Sequence, residues 1–174
     1  HMKFGDARPT WGMLSFPGWE HDEGRYLWEW FEWVGTKAVD LAATHIVLEN
    51  TFNPMDHNES LTQKIAQYGM IGVADMARHV LNAKRGTRIE TNVVSPKQWR
   101  KPFLGADEPP KGLVKHQRRK WFKDKAIQAC AVRGWMVEND NQADALGILA
   151  FACSQLDPHF AVRQGPLFRR AEAA

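Results

Sequence analysis

Hydrophobic positions over residues 24–43 recur every three or four residues, which is the period of an α-helix with one buried face. The apolar residues of this stripe are Leu27, Trp30, Phe31 and Val34. We therefore predict a helix whose aromatic side chains pack against the core. Trp28 and Trp33 lie off the stripe and could widen the apolar face into a dimer interface.

A second helical period extends over residues 58–86. Asn58 or Ser60 is the candidate N-cap, and Gly86 stands where the helix would end. The predicted buried stripe consists of Leu61, Ile65, Tyr68, Gly72 and Met76. Glycine weakens a helix, so Gly69 and Gly72 predict close packing of this helix against a sheet.

Three shorter segments have the composition of strands. Residues 10–18 have strand character before a Pro-Gly turn, and residues 87–96 form a further candidate. Residues 44–50 are apolar almost throughout, which is typical of a strand buried on both faces, and the run ends in the acid Glu49.

The remaining segments predict helices again. A Pro-rich loop over residues 102–110 leads into a basic helix that ends at Arg133, before Gly134, and a closing helix begins at about Asn141. The alternation of helices and buried strands predicts an α/β fold. A chain of 174 residues, 44% of them hydrophobic, suits a single domain over residues 1–174.

Cysteine content and hydropathy indicate the cellular compartment in which we expect this protein. Cys130 and Cys153 fall in helix-like apolar stretches without metal-ligand spacing, so we expect two buried thiols in a reducing cytoplasm. No apolar run approaches the roughly 20 residues of a membrane span, and no signal peptide opens the chain. The sequence thus predicts a cytoplasmic protein with no membrane partner.

Charge is distributed unevenly along the chain. Residues 97–125 contain ten Lys and Arg against three acids, a net charge of +7, whereas the whole chain carries +3. Such a segment predicts a polyanionic partner such as a nucleic acid, whose phosphates are bound without recognition of the base sequence. The predicted nucleic-acid-binding residues are Lys97, Arg100, Lys101, Lys115, Arg118, Arg119, Lys120 and Lys123. The alternative is a solvated helix face on which lysine stems cover apolar surface.

Acidic residues mark a candidate catalytic site. In "NDNQADALGILAFA" (139–152), Asp140 and Asp144 lie four positions apart and therefore share one helix face. Together with Glu49 they offer the hard oxygen ligands that suit Mg²⁺ or Mn²⁺. Two ions roughly 4 Å apart can activate a water and stabilise the leaving oxygen of a phosphodiester. In the alternative interpretation, Asp140 only caps the helix and Glu49 is a solvent-facing acid.

The same stretches resemble a known family. "DNQADALGILAFA" and "IVLEN" are similar to the last helix and the Glu-bearing strand of RuvC-type Holliday junction resolvases, in the RNase H-like superfamily. "VVSPKQWRKPFLG" and "KDKAIQACAVRGWMVENDNQADAL" resemble the phage and prophage RuvC-like nucleases. The resemblance covers roughly residues 44–155, and its C-terminal block is the more specific part.

This resemblance implies an RNase H-like mixed sheet flanked by helices and a metal-dependent endonuclease that cleaves branched DNA such as Holliday junctions. Glu49, Asp140 and Asp144 would be catalytic and would bind two Mg²⁺ or Mn²⁺ ions. The family's second helix ligand often falls three residues before the last Asp, at Asn141 here, so Asn141 and Asp140 both remain candidate metal ligands. The implied state is a homodimer in a bacterial or phage-infected cell, with no small-molecule cofactor beyond the metal.

Two other functions stay open. The chain could be a catalytically incomplete relative that binds branched nucleic acid without cutting it, or a related nuclease for RNA–DNA hybrids or flaps. The N-terminus also departs from the family, which opens with a strand ending in Asp. In one register "KFGD" is a truncated first strand and Asp6 supplies that carboxylate. In the other, which we favour, the first strand is missing and Asp6 lies in an exposed turn.

Overall fold

A computed structural model describes residues 1–2, 9–15, 17, 22–50, 61–106, 108–157 and 159–160, without the side chains of residues 61–64. The elements in chain order are α1 (Glu23–Asp40), β1 (His45–Glu49), α2 (Leu61–Arg85), β2 (Glu90–Val94), α3 (Pro96–Leu104), α4 (Lys115–Val132) and α5 (Asp140–Leu156). This mixture of helices with a small parallel sheet confirms the α/β class. Within these described ranges, no helix is both long and apolar enough to cross a bilayer.

The described chain forms two compact units. The sheet unit comprises Leu14–Ser95, and the helical unit comprises His1–Met13 and Pro96–Ala174. In the sheet unit, β1 and β2 pair in parallel, with His45 opposite Glu90 and Glu49 opposite Val94. Parallel neighbours require a long crossover connection, and α2 supplies it.

Helices α1 and α2 pack closely because the residues that α2 presents to α1 have small side chains. Val34 of α1 is buried against Ala74 and Ala77 of α2, with Trp30 and Phe31 packed around them. A Cβ on Gly69 would lie 3.0 Å from Leu27, so only a glycine leaves full room for that leucine. The helix predicted over residues 24–43 and its apolar face are therefore confirmed.

The stripe predicted for α2 is wrong. Ile65, Tyr68 and Met76 are 48%, 49% and 50% exposed, and the side chain of Leu61 is outside the described part. Gly72 is also exposed, and a Cβ there would meet nothing within 4 Å. The aromatic side chains of α1 fill the space between the helices, so α2 must present alanines to them.

The connection from α2 to β2 depends on one amide side chain. Asn82 donates from Nδ2 to the carbonyl oxygen of Ile89 and accepts at Oδ1 from the Ile89 N–H, both at 2.9 Å. Its Oδ1 also accepts from the Thr87 hydroxyl at 2.7 Å. Gly86 follows the helix with a φ of +65°, as its predicted position after the helix end requires. Asn82 thereby fixes where β2 begins.

The strand predictions were partly correct. β1 and β2 lie within the predicted ranges, but all five residues of β1 are only half-buried, so burial on both faces is wrong. Ile46 and Leu48 pack towards the α1–α2 layer, and the intervening residues project from the opposite face. Residues 10–15 and 17 are not in a strand, which corrects the strand predicted over residues 10–18.

The helical unit is built around two aromatic residues of α3. Trp99 and Phe103 are buried, and a Cβ on Gly147 of α5 would lie 2.5 Å from Trp99 and 2.9 Å from Phe103. The sequence analysis did not predict α3, which begins where the strand predicted over residues 87–96 would end and includes the first three residues of the expected Pro-rich loop. By contrast, α4 ends at Val132 before the positive-φ Gly134, and α5 begins at Asp140, as predicted to within one residue.

Candidate nucleic-acid interface and carboxylate site

The N-terminus of α5 is held by amide side chains that precede and follow Asp140. Asn139 is the N-cap, and its Oδ1 accepts from the Gln142 N–H at 3.0 Å. The buried Gln142 side chain in turn accepts from the Glu138 N–H at 3.0 Å and donates to the Glu138 carboxylate at 3.2 Å. Asp140 is therefore not the capping residue, and its carboxylate is available for another role.

That carboxylate already binds a cation from α4. Asp140 Oδ2 lies 2.6 Å from Lys123 Nζ, and the Asp140 side chain is 26% exposed. The hydrogen bond from Lys123 lowers the pKa of Asp140 below its ordinary value. The group is therefore a carboxylate at neutral pH, in the protonation state that a metal ligand needs.

Asp144 lies one helical turn after Asp140 and is half-buried. Burial raises the pKa of Cys130 of α4 to about 11, with a further rise from the Asp144 charge and an opposing effect of Arg133. Asp140 and Asp144 share one face of α5 because they are four positions apart, and the Lys123–Asp140 contact joins this face to α4. Asn141 is exposed instead.

Glu49 occupies the carboxyl end of β1, where it is paired in register with Val94 of β2. It projects from the sheet face opposite Ile46 and Leu48, because side chains alternate along a strand. The carboxyl edge of parallel strands is the usual place for ligand-binding groups in α/β proteins. Glu49 belongs to the sheet unit, whereas the other three predicted ligands belong to the helical unit.

Among the residues that the structure describes, no three His, Cys, Asp or Glu side chains form a group that could hold a metal ion. Asp6 lies outside the described residues. Asp140 and Asp144 offer two carboxylates on one face of α5, and Asp140 already pairs with the Lys123 ammonium. Such oxygen donors suit Mg²⁺ or Mn²⁺.

Most of the predicted DNA-binding residues are exposed in the helical unit. The exposed group on α3 and the first turns of α4 consists of Lys97, Lys101, Lys115, Arg118, Arg119, Lys120 and Lys123. Arg118 Nε donates to the Leu113 carbonyl oxygen at 2.8 Å, and Lys120 pairs with Asp124 of the same helix at 2.9 Å. Exposed cations spaced along two or three turns form a surface suited to backbone phosphates.

Arg100 differs from the other predicted binding residues. Its guanidinium carbon lies 4.5 Å from the ring centroid of Phe122 and 5.4 Å from that of Trp99. Its Nε is buried and has no hydrogen-bond partner among the described residues. Arg100 therefore packs α3 against α4 through cation–π contacts, in addition to any contact with phosphate.

The side chains that support these groups were not predicted from the sequence. The Glu138–Gln142 pair was not predicted, although Asn139 and Gln142 have the spacing of a capping box, which could have identified it. The Lys123–Asp140 pair has no local signal, because its partners are seventeen positions apart on different helices.

No protein-family model matches the chain, and no curated protein matches it significantly. The resemblance to RuvC-like nucleases is accordingly carried by the short motifs quoted above, and it stays a prediction.

Proposed function

We propose that this protein is a metal-dependent endonuclease of the RuvC-like type that cleaves branched DNA such as Holliday junctions. The observation that carries this proposal is the meeting of a basic helix and an acidic helix start in one unit. At the Lys123–Asp140 contact, residues suited to phosphate lie beside residues suited to metal. A phosphodiester nuclease needs both kinds of group next to each other.

The fold expected from the resemblance is RNase H-like, and two features of the sheet unit support it. β1–α2–β2 is a parallel crossover unit, and Glu49 stands at the carboxyl end of β1. The Glu90 N–H donates to the Thr44 carbonyl oxygen, and the Asn50 N–H donates to the Val94 carbonyl oxygen. The backbone N–H and C=O groups of the even-numbered residues along β1 therefore point towards β2. The backbone of Val47 thus points to the other edge of β1, where a further strand of a larger sheet would pair.

In this proposal Asp144 and Asp140 are the residues of α5 that would hold Mg²⁺ or Mn²⁺, and Glu49, at the end of β1, is the further carboxylate that the resemblance implies. Bound divalent ions would lower the pKa of the attacking water and stabilise the leaving oxygen. The exposed cations of α3 and α4 hold the phosphate backbone and favour the shape of a junction over its sequence. A homodimer in the cytoplasm would present two such sites to a four-way junction.

The test is cleavage of a labelled four-way junction with Mg²⁺, Mn²⁺ or EDTA in parallel. We expect cutting only with a divalent ion, and loss of cutting in Asp144→Asn with junction binding retained. Glu108→Gln is a matched control, because Glu108 is an exposed acid outside α5 and β1. If the Asp144→Asn protein cleaves the junction at the parent rate, the assignment of a metal site to Asp144 is wrong.

The second candidate is a protein that binds branched DNA without cutting it. The exposure of the α4 cations favours it equally, because those residues need no metal to contact phosphate. Junction binding in EDTA together with no cutting under any metal condition would select this alternative.

A further inference from the structure

The side of α2 that faces away from α1 and β1 is apolar and exposed. Ile65, Tyr68 and Met76 are each about half exposed, and Gly72 between them is exposed with open space around it. These four residues are the outer face of α2. The opposite side of the helix, which includes Ala74, is buried against α1 and β1. A helix that is apolar on opposite sides is typically covered on both of them.

Charge does not oppose the burial of the outer face. None of its four residues is charged at neutral pH. Asp75 lies beside it, and the Asp75 carboxylate pairs with Arg78 of the same helix at 2.7 Å. Two copies of this face can therefore meet without bringing unpaired like charges together.

The spacing of residues along the outer face is symmetric about Gly72. Tyr68 lies four positions before it and Met76 four positions after it, and Ile65 and His79 lie seven positions before and after. When two identical helices cross antiparallel at one residue, positions equidistant from that residue come opposite each other. A crossing at Gly72 therefore sets Tyr68 against the partner's Met76, an aromatic–sulfur contact, and the missing side chain lets the two backbones approach closely.

The exposed tryptophans of α1 do not form a comparable face. Trp28 stacks on Phe31 and Trp33 stacks on Trp30, with ring centroids 5.6 and 5.3 Å apart. Because Trp28 and Trp33 are five positions apart, they lie about 140° apart around the helix axis. The outer face of α2 spans only about 80° by the same count, so one partner helix can cover all of it.

We propose that the outer face of α2 binds the same face of a second copy of this chain, in an antiparallel helix pair that crosses at Gly72. The association stands on α2 alone, whereas its use in presenting two sites to one junction rests on the proposed function. Three half-exposed side chains leave roughly 100 Å² each in solvent, or about 600 Å² for two copies. At an apolar share of about 65%, the interface would bury about 900 Å², which is typical of weak complexes. The dimer should therefore dissociate in the micromolar range of concentration.

The first measurement is sedimentation velocity of the full chain from about 1 to 300 µM, without DNA or added metal. We expect the parent to shift from monomer to dimer within this range. Met76→Glu places a charge at both symmetric contacts, so the dissociation constant should rise about tenfold or more. Met136→Glu is the matched control, because Met136 is more exposed than Met76 and lies outside α2, and it should dimerise as the parent does.

The second measurement tests the direction of crossing. Tyr68→Lys should weaken the dimer as Met76→Glu does. In the double variant Tyr68→Lys/Met76→Glu, each introduced lysine meets the introduced glutamate of the other copy, so the dimer should form about fivefold or more tightly than in either single variant. Within one helix these positions are eight apart and do not contact each other. The recovery should fade as salt is raised, because it is electrostatic.

A parent that stays monomeric over the whole range overturns the proposal, and so does a dimer that Met76→Glu leaves intact. A double variant no tighter than the single ones overturns the antiparallel crossing at Gly72. Circular dichroism checks that each variant folds, and Ile65→Lys repeats the test if Met76→Glu does not. The outcome is separate from the proposed function, since a dimer that neither binds nor cuts a junction refutes the nuclease and leaves the interface standing.

Discussion

Replacing Gly147 by alanine tests the packing of the helical unit directly. A Cβ at this position would lie 2.5 and 2.7 Å from two atoms of the Trp99 ring and 2.9 Å from the Phe103 ring. Ordinary carbon–carbon contacts are about 3.5–4.0 Å, so the rings or α5 must move by about 1 Å. Both rings are buried and rigid, which leaves them little freedom to move aside.

Two effects of this substitution oppose each other. Overpacking a well-packed core costs about 1–3 kcal/mol, and three short contacts with buried rings place Gly147→Ala near the upper end. Alanine in place of glycine within a helix recovers about 1 kcal/mol. We therefore expect the free energy of unfolding to fall by about 2 kcal/mol, with a melting temperature lower by about 4–8 °C.

The assay is urea denaturation followed by circular dichroism, with Gly72→Ala as the matched control. Gly72 also lies within a helix, but a Cβ there meets nothing within 4 Å, so this variant should gain up to about 1 kcal/mol. The double variant Trp99→Leu/Gly147→Ala should lose less stability than the two single changes added together, because the smaller side chain makes room for the methyl group. A Gly147→Ala protein as stable as the parent would refute the packing described for α3 and α5.

Four further variants test the candidate site and the connection to β2. A triple neutralisation on α4 changes Arg118, Arg119 and Lys120. It should weaken binding to all DNA sequences and flatten the salt dependence by about one unit per lost phosphate contact, whereas an unchanged slope would make α4 a solvated surface. Glu49→Gln should abolish junction cleavage but keep binding, and parent-like cutting would exclude Glu49 from the metal site. Asp6→Asn should have almost no effect on cleavage if Asp6 lies in an exposed turn, and a loss as large as that of Glu49→Gln would instead make it the first-strand carboxylate. Asn82→Ala should lower the free energy of unfolding by about 2 kcal/mol, because it leaves the Ile89 N–H and carbonyl without their partner, and a change under about 0.5 kcal/mol in urea melts would contradict that role.

Local pattern determined the elements of this chain well. Local sequence patterns predicted α1, α2, α4 and α5, and Gly86 and Gly134 follow the ends of their helices with positive φ. These features are local, because a helix period and a left-handed residue depend on a few neighbouring positions. The α3 helix was not predicted because it is short, contains Pro102 and depends for its stability on the burial of Trp99 and Phe103.

The tertiary structure decided which surfaces meet. Ile65, Tyr68 and Met76 of α2 are exposed whereas Ala74 and Ala77 are buried, because the aromatic residues of α1 occupy the space that larger side chains would need. The partner of the acidic face of α5 was likewise decided by the tertiary structure. The spacing of Asp140 and Asp144 predicts that face, but the pairing of Asp140 with Lys123 depends on how α4 and α5 pack against each other. Periodicity shows that a helix has a face, whereas the partner of that face is set by the volume and charge of residues far away in the chain.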